Sequence, residues 1–172
     1  MKEEEIEKLF YEYGERVYRT AFGILKNESD AKDVVQEVFV GLYNNFRSSK
    51  VKNIGAYLGS CGAKKAIDFL RKNKRENLFK KEYGGDDIER ESIWEENIES
   101  IRGSEESLAG KIKEQIERLS EKYRIILSLR LLEEYDYHEI AEITGLNENT
   151  IRSIYMRGRV KLIESLKKEK IL

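Results

Sequence analysis

Apolar residues recur along this chain at three- and four-residue intervals, the spacing that turns one face of a helix inward. The first run is Ile6, Leu9, Phe10, Tyr13, Val17, Ala21, Ile24 and Leu25, and the pattern breaks at Lys26-Asn27. Ser29 or Asp30 is placed to cap a second helix, whose inward stripe is Ala31, Val34, Val35, Val38, Leu42 and Phe46. After a polar connection over 47–53, a third run starts near Ile54. It passes through Tyr57, Leu58, Cys61, Ala66, Ile67 and Leu70 into the basic stretch Arg71-Lys72-Asn73-Lys74-Arg75. Gly59 and Gly62 are expected to bend or interrupt it. These runs predict a helical domain over 1–78. A second domain is predicted over 107–172, with stripes at Leu108, Ile112, Ile116 and Leu119, then Tyr123, Ile126, Leu127, Leu129 and Leu131. Two further helices follow, at 137–144 and from Asn147 to about Lys168. The expected fold class is all-α, two small helical domains joined by an acidic linker over 79–106.

Composition supports helix throughout. The 172 residues include no proline, so nothing locks φ or removes a backbone donor. The 12 glycines sit mostly at joints or inside the third run.

Charge changes the picture more than composition does. The formal net charge is only −1, yet 64–81 carries +6, 82–106 carries −8 and 152–172 carries +5. Taken singly, each block reads as a solvated helix face. In order, they describe two surfaces that attract nucleic acid, separated by a segment that repels it. Within the acidic segment, Trp94 with Ile93, Ile98 and Ile101 is read as a packing anchor.

Catalysis and metal binding find no support in the residue inventory. His138 is the single histidine, so no histidine triad or His-based metal site can be assembled. His138-Glu139-Ile-Ala-Glu142 matches a zinc-protease helix only until its last residue, where the second histidine is missing. Phosphate loops and nucleophile elbows are absent as motifs. The single cysteine, Cys61, leaves no internal disulfide. No cofactor is expected. The amino-terminal residues resemble no secretory signal and no apolar run reaches membrane-spanning length, so a cytoplasmic protein is expected.

The most specific local signal is Asp136-Tyr-His-Glu-Ile-Ala-Glu-Ile-Thr-Gly-Leu-Asn-Glu-Asn-Thr-Ile-Arg-Ser153. Ile140 and the small Ala141 turn inward, Gly145 supplies the positive φ that ends a helix sharply, and Asn147 caps the next. Leu146 is expected to plug the angle between the two. The pattern is that of a helix-turn-helix. In its second helix Ile151, Tyr155, Gly158 and Leu162 form the buried face. Asn149, Arg152, Ser153, Met156 and Arg157 are left facing outward, with chemistry suited to base edges and phosphates. Arg159, Lys161 and Lys167 fall nearer a flanking backbone.

Three ordered segments extend this reading. Asp30-Ala-Lys-Asp-Val-Val-Gln-Glu-Val-Phe-Val-Gly-Leu-Tyr43 resembles the core-binding motif of sigma region 2, and Ala63-Lys-Lys-Ala-Ile-Asp-Phe-Leu-Arg-Lys72 resembles the adjoining promoter-melting segment. Leu119 through Leu162 looks like sigma region 4. Their order is that of the extracytoplasmic-function type of RNA polymerase sigma factor, in the sigma-70 family. That resemblance implies a protein that binds core RNA polymerase and directs promoter-specific initiation. It implies that Asp33, Gln36 and Glu37 meet the clamp coiled coil of the polymerase β′ subunit. It implies that Lys64, Lys65, Arg71, Lys72, Lys74 and Arg75 lie near minus-10 DNA. Asn149, Arg152, Ser153, Met156 and Arg157 would read the minus-35 element, with the second domain resting on the β flap and the acidic linker threading the polymerase channel. An anti-sigma factor is common in the family, although no residue here identifies one. The chain departs from the family pattern at Lys64, where Asn is usual, at Tyr57 for Trp, at Ser120 for Pro and at Ile154 for Arg. The competing reading is a dimeric helix-turn-helix regulator that binds an operator without polymerase. A pure interaction module that never touches DNA is a third. Both leave the Asp33-Gln36-Glu37 stripe or the basic blocks unused.

Overall fold

A computed structural model describes residues 3–45, 51, 53–83 and 107–172, with the side chains of 45 and 76–83 left aside. Most of the predicted acidic linker, Trp94 included, and Phe46 lie outside the described residues. Seven α-helices and no strand occur among the described residues. The first three are α1 (Glu3–Leu25), α2 (Glu28–Asn45) and α3 (Ile54–Tyr83). The rest are α4 (Leu108–Glu117), α5 (Glu121–Leu127), α6 (Tyr137–Thr144) and α7 (Glu148–Lys168). A wide π turn over Ser128–Leu132 prolongs α5.

In the amino-terminal unit, α1 packs on both α2 and α3. Val17, Ala21 and Ile24 of α1 meet Ala31, Val34, Val38 and Leu42 of α2 and Leu58, Ala63, Ala66 and Ile67 of α3. The inward stripes read from the sequence are therefore the core, with two adjustments. Phe39 is also buried, where its ring meets Phe10 edge-on at 5.1 Å. Phe10 and Tyr57, expected inside, are instead substantially exposed. The cap of α2 is Asn27, whose side-chain oxygen accepts from the Asp30 amide at 2.9 Å. Ser29 and Asp30 themselves lie within the first turn.

Gly59 and Gly62 neither bend nor interrupt α3, which runs unbroken to Tyr83. They are hollows for neighbours. A Cβ on Gly62 would fall 2.8 Å from a Val17 methyl, and one on Gly59 would fall 2.7 Å from the Tyr135 hydroxyl.

In the carboxy-terminal unit, Ser107 caps α4 by accepting from the Gly110 amide at 3.2 Å. Asp136 and Glu139 form a reciprocal capping box at the start of α6. Gly145 ends α6 in the left-handed region, at φ 72°. Asn147 then caps α7, accepting from the Thr150 amide at 2.8 Å. The helix-turn-helix is thus built as its residue pattern predicts, except that Leu146 does not plug the angle: it is 39% exposed. Ile140, Ile143 and Ile151 fill that corner. The unit has its own small apolar cluster of Ile116, Leu127, Leu162 and Leu166.

The two units share a core. Ile126, Leu129, Tyr135, Ile140, Ile143 and Ile151 belong to the same buried cluster as the residues of α1–α3, and α6 packs on α3 while α5 packs on α1. Tyr135 is the one aromatic among these insertions. Burial pushes its phenol up to about 12, so it stays neutral in the shared core.

Helices α5 and α7 approach closely because Gly158 faces Tyr123 and Leu127, whose side chains would lie 3.1–3.3 Å from an added Cβ. Gly158→Val should destabilise the protein by about 1–3 kcal/mol through overpacking. Urea unfolding checks this, and an unchanged midpoint would show that the two helices can separate at no cost.

Candidate nucleic-acid and polymerase interfaces

The residues expected to meet polymerase lie together. Asp33, Gln36 and Glu37 are all exposed on α2, opposite the buried Val34, Val35 and Val38. Exposed Val40 and Tyr43 continue the same stripe, an apolar extension that the three polar positions alone did not reveal. Four-residue spacing from Gln36 to Val40 was the available signal.

All six basic residues proposed for the minus-10 element sit on exposed positions of α3, but the structure divides them. Lys65 reaches sideways to α2, where its ammonium lies 2.8 Å from a Glu37 carboxylate oxygen. An expected DNA contact and an expected polymerase contact therefore neutralise each other across the α2–α3 surface. Arg71 donates to the Thr144 carbonyl at the end of α6 and lies 3.7 Å from Asp68. Lys74 pairs with Glu121 at the start of α5. Lys64, Lys72 and Arg75 are exposed on the same helix.

On α7, Asn149, Arg152, Ser153, Met156 and Arg157 are exposed, while Ile151, Gly158 and Leu162 are buried. The outward face inferred from periodicity is the outward face observed. Arg152 is not a loose surface charge. Its guanidinium stacks over the Tyr137 ring at 4.3 Å and lies 3.3 Å from a Glu148 carboxylate oxygen. Arg130 approaches the same ring at 5.4 Å, and Tyr155 meets it edge-on at 5.9 Å. Tyr137 escaped the sequence reading because its partners come from two other helical segments, the π turn and α7. Its position next to the Asp136 cap was the only hint.

His138, beside this cluster, faces Glu142 at 3.8 Å and Glu148 at 3.5 Å. Among the described residues no group of three or more His, Cys, Asp or Glu side chains is arranged to hold a metal ion. None of their helices is long and apolar enough to cross a membrane.

Behind α7 lies an apolar groove of about 460 Å³, lined in part by Ala109, Ile112, Leu131, Leu132, Leu162 and Leu166. Leu131 and Leu132, in the π turn, are partly exposed there.

Comparison with known proteins agrees with this layout. Residues 9–76 match the family described as sigma-70 region 2, and residues 109–162 match sigma-70, region 4. The chain is 32% identical to the RNA polymerase sigma factor SigV of Bacillus subtilis over 155 residues, covering 88% of this chain and 85% of SigV. It is 25% identical to the ECF RNA polymerase sigma factor SigW of the same organism over 164 residues, covering 90% and 85%. Among solved structures, the sigma factor RpoE crystallised with the anti-sigma factor NepR from Bartonella quintana has the same fold. Its TM-score is 0.61 at 20% identity, over 95% of this chain and 97% of that one. The chain belongs to the sigma-70 family of RNA polymerase sigma factors, and within it to the extracytoplasmic-function type. It directs promoter-specific transcription initiation together with core RNA polymerase.

The Tyr137 platform leads to a measurable expectation. Removing the ring in Tyr137→Leu should abolish the upfield ring-current shift of the Arg152 side-chain protons, whereas Tyr137→Phe should retain it. The stacking lost is worth about 0.5–1 kcal/mol at an exposed site. NMR of the free protein checks this, and identical Arg152 shifts in the wild type and Tyr137→Leu would mean that the stack does not hold the guanidinium.

Proposed function

We propose that the three exposed surfaces divide the work of initiation along the chain. The α2 stripe of Asp33, Gln36 and Glu37, extended by Val40 and Tyr43, docks on the β′ clamp coiled coil. The basic face of α3, from Lys64 to Arg75, holds minus-10 DNA while a base leaves the stack, so that phosphate contacts offset lost stacking. Asn149, Arg152, Ser153, Met156 and Arg157 enter the major groove of the minus-35 element. The apolar groove beside Leu131 and Leu132 seats the β flap.

In this division 1–78 is the polymerase- and minus-10-binding domain, 107–172 is the minus-35-binding domain, and 79–106 is an acidic linker through the polymerase channel. The chain acts by binding alone, with no catalytic step or cofactor of its own, in the cytoplasm. The carrying observation is the segregation of α7: one face is buried down its length, and the other presents a stacked, preoriented Arg152 beside Asn149 and Ser153. The likeness to RpoE, crystallised with NepR, supports an anti-sigma factor as a further partner.

Mixing the protein with core polymerase and assaying promoter-directed transcription tests this reading. Asp33→Arg with Glu37→Arg should lower core affinity by at least about tenfold, as like-sign replacement of interfacial charges does, while circular dichroism stays unchanged. Normal core binding by that double variant would place the docking face elsewhere. Dimeric operator binding without polymerase would favour a conventional helix-turn-helix regulator.

A further inference from the structure

Glu148 is the one acid from Asn147 to Arg159, so the face of α7 assigned to minus-35 DNA carries a single negative charge. Its carboxylate is divided between two partners. Oε2 accepts from the Arg152 guanidinium at 3.3 Å, and Oε1 lies 3.5 Å from Nδ1 of His138, across the turn on α6. His138 in turn lies 3.8 Å from Glu142. On its other side Arg152 meets the Tyr137 ring, with the guanidinium carbon 4.3 Å from the ring centroid. The arginine placed to read bases is thus held between a ring from α6 and a carboxylate from α7.

A first-turn acid suits the helix dipole, but that role asks for no particular partner, and Asn147 already caps α7. As a surface ion pair, Glu148 with Arg152 adds little to stability. Its consequence arises at DNA. An arginine without a partner on this face would settle on any phosphate. Arg152 has to leave a carboxylate, and a carboxylate left against the duplex repels phosphate and lacks a hydrogen-bond donor. Guanine satisfies the arginine with two acceptors, O6 and N7. Only an exocyclic amino group, cytosine N4 or adenine N6, satisfies the carboxylate; guanine and thymine present it with acceptors alone.

We propose that Glu148 is a specificity-determining residue of minus-35 recognition: paired with Arg152, it confines that arginine to guanine and demands an adenine or cytosine amino group at the adjoining position. This rests on the proposed minus-35 role of α7. Tyr137 and His138 hold the two members of the pair from α6, so its geometry is set across the turn of the helix-turn-helix. Removing the acid therefore raises affinity for DNA at large while lowering discrimination, because specificity here comes from a penalty on wrong sites. Loss of an ordinary base contact weakens the preferred site instead.

Holoenzyme reconstituted from core polymerase and the full chain, selecting from a pool of duplexes randomised over their whole length, tests this. The wild-type motif should hold a guanine, beside an adenine or cytosine, that Arg152→Ala loses. Glu148→Ala, folded by circular dichroism, should relax both positions. Its preference for the selected site over one with the guanine pair replaced should fall about five- to tenfold. Its binding to the replaced site should tighten about two- to fivefold. There its log affinity should fall with log salt more steeply by about one, because the freed Arg152 gains a phosphate. Glu148→Gln, whose amide suits adenine, should favour adenine over cytosine at the adjoining position. Unchanged selection by Glu148→Ala would overturn the inference. So would weaker binding to both sites at an unchanged ratio, which is what a merely helix-stabilising acid gives. A wild-type motif selected by Arg152→Ala would overturn the minus-35 role of Arg152 itself, and the inference with it.

Discussion

Helices end with carbonyls that have no partner of their own, and in this chain two such ends are capped from the opposite unit. Arg124 reaches α1, and Arg71 reaches α6. A buried guanidinium is tolerable only when hydrogen-bonded, so the contacts of Arg124, the buried one of the two, favour one relative placement of the units. Burial pulls Arg124 below its ordinary pKa, with Glu121 and Glu117 opposing that pull. It nonetheless starts so far above neutrality that it remains a cation. The apolar residues around the caps then bury surface that neither unit could cover alone.

That shared core explains a feature that small-domain arithmetic leaves unresolved. The carboxy-terminal unit's separate cluster contains four buried side chains, Ile116, Leu127, Leu162 and Leu166, which is little for a domain of that size. Much of its remaining apolar surface, including Ile126, Leu129 and Ile140, is completed by α1 and α3. Separation of the units therefore carries a cost.

Local chemistry explains which parts of this were legible from the residues alone. The capping box at Asp136 and Glu139, Gly145 with its positive φ, and Asn147 each act within four residues, so the helix-turn-helix could be read directly. Periodicity likewise separated Asp33, Gln36 and Glu37 from the core-facing valines of α2. What escaped depends on distant partners. Gly59 and Gly62 looked like helix breakers, yet they are recesses for Tyr135 and Val17. Leu146 looked like a plug, but three isoleucines brought in from α6 and α7 already fill that corner. Lys65, Arg71 and Lys74 read as one basic face, although each is drawn to a different neighbouring helix. Arg124 carried no signal at all: an arginine in an amphipathic run is ordinarily solvated, and its carbonyl partners are about a hundred positions away.

The central claim, that the two units of this sigma factor share one core and cap each other's helices, concerns the distance between its two halves. Spin labels placed at Arg19→Cys and Lys168→Cys, with Cys61→Ser, would report that distance by double electron–electron resonance. The account predicts one short, narrow distribution in the free chain, and a broader one once Arg124→Ala removes the buried caps. A broad distribution in the free wild-type chain, or an unchanged one in the folded variant, would contradict it.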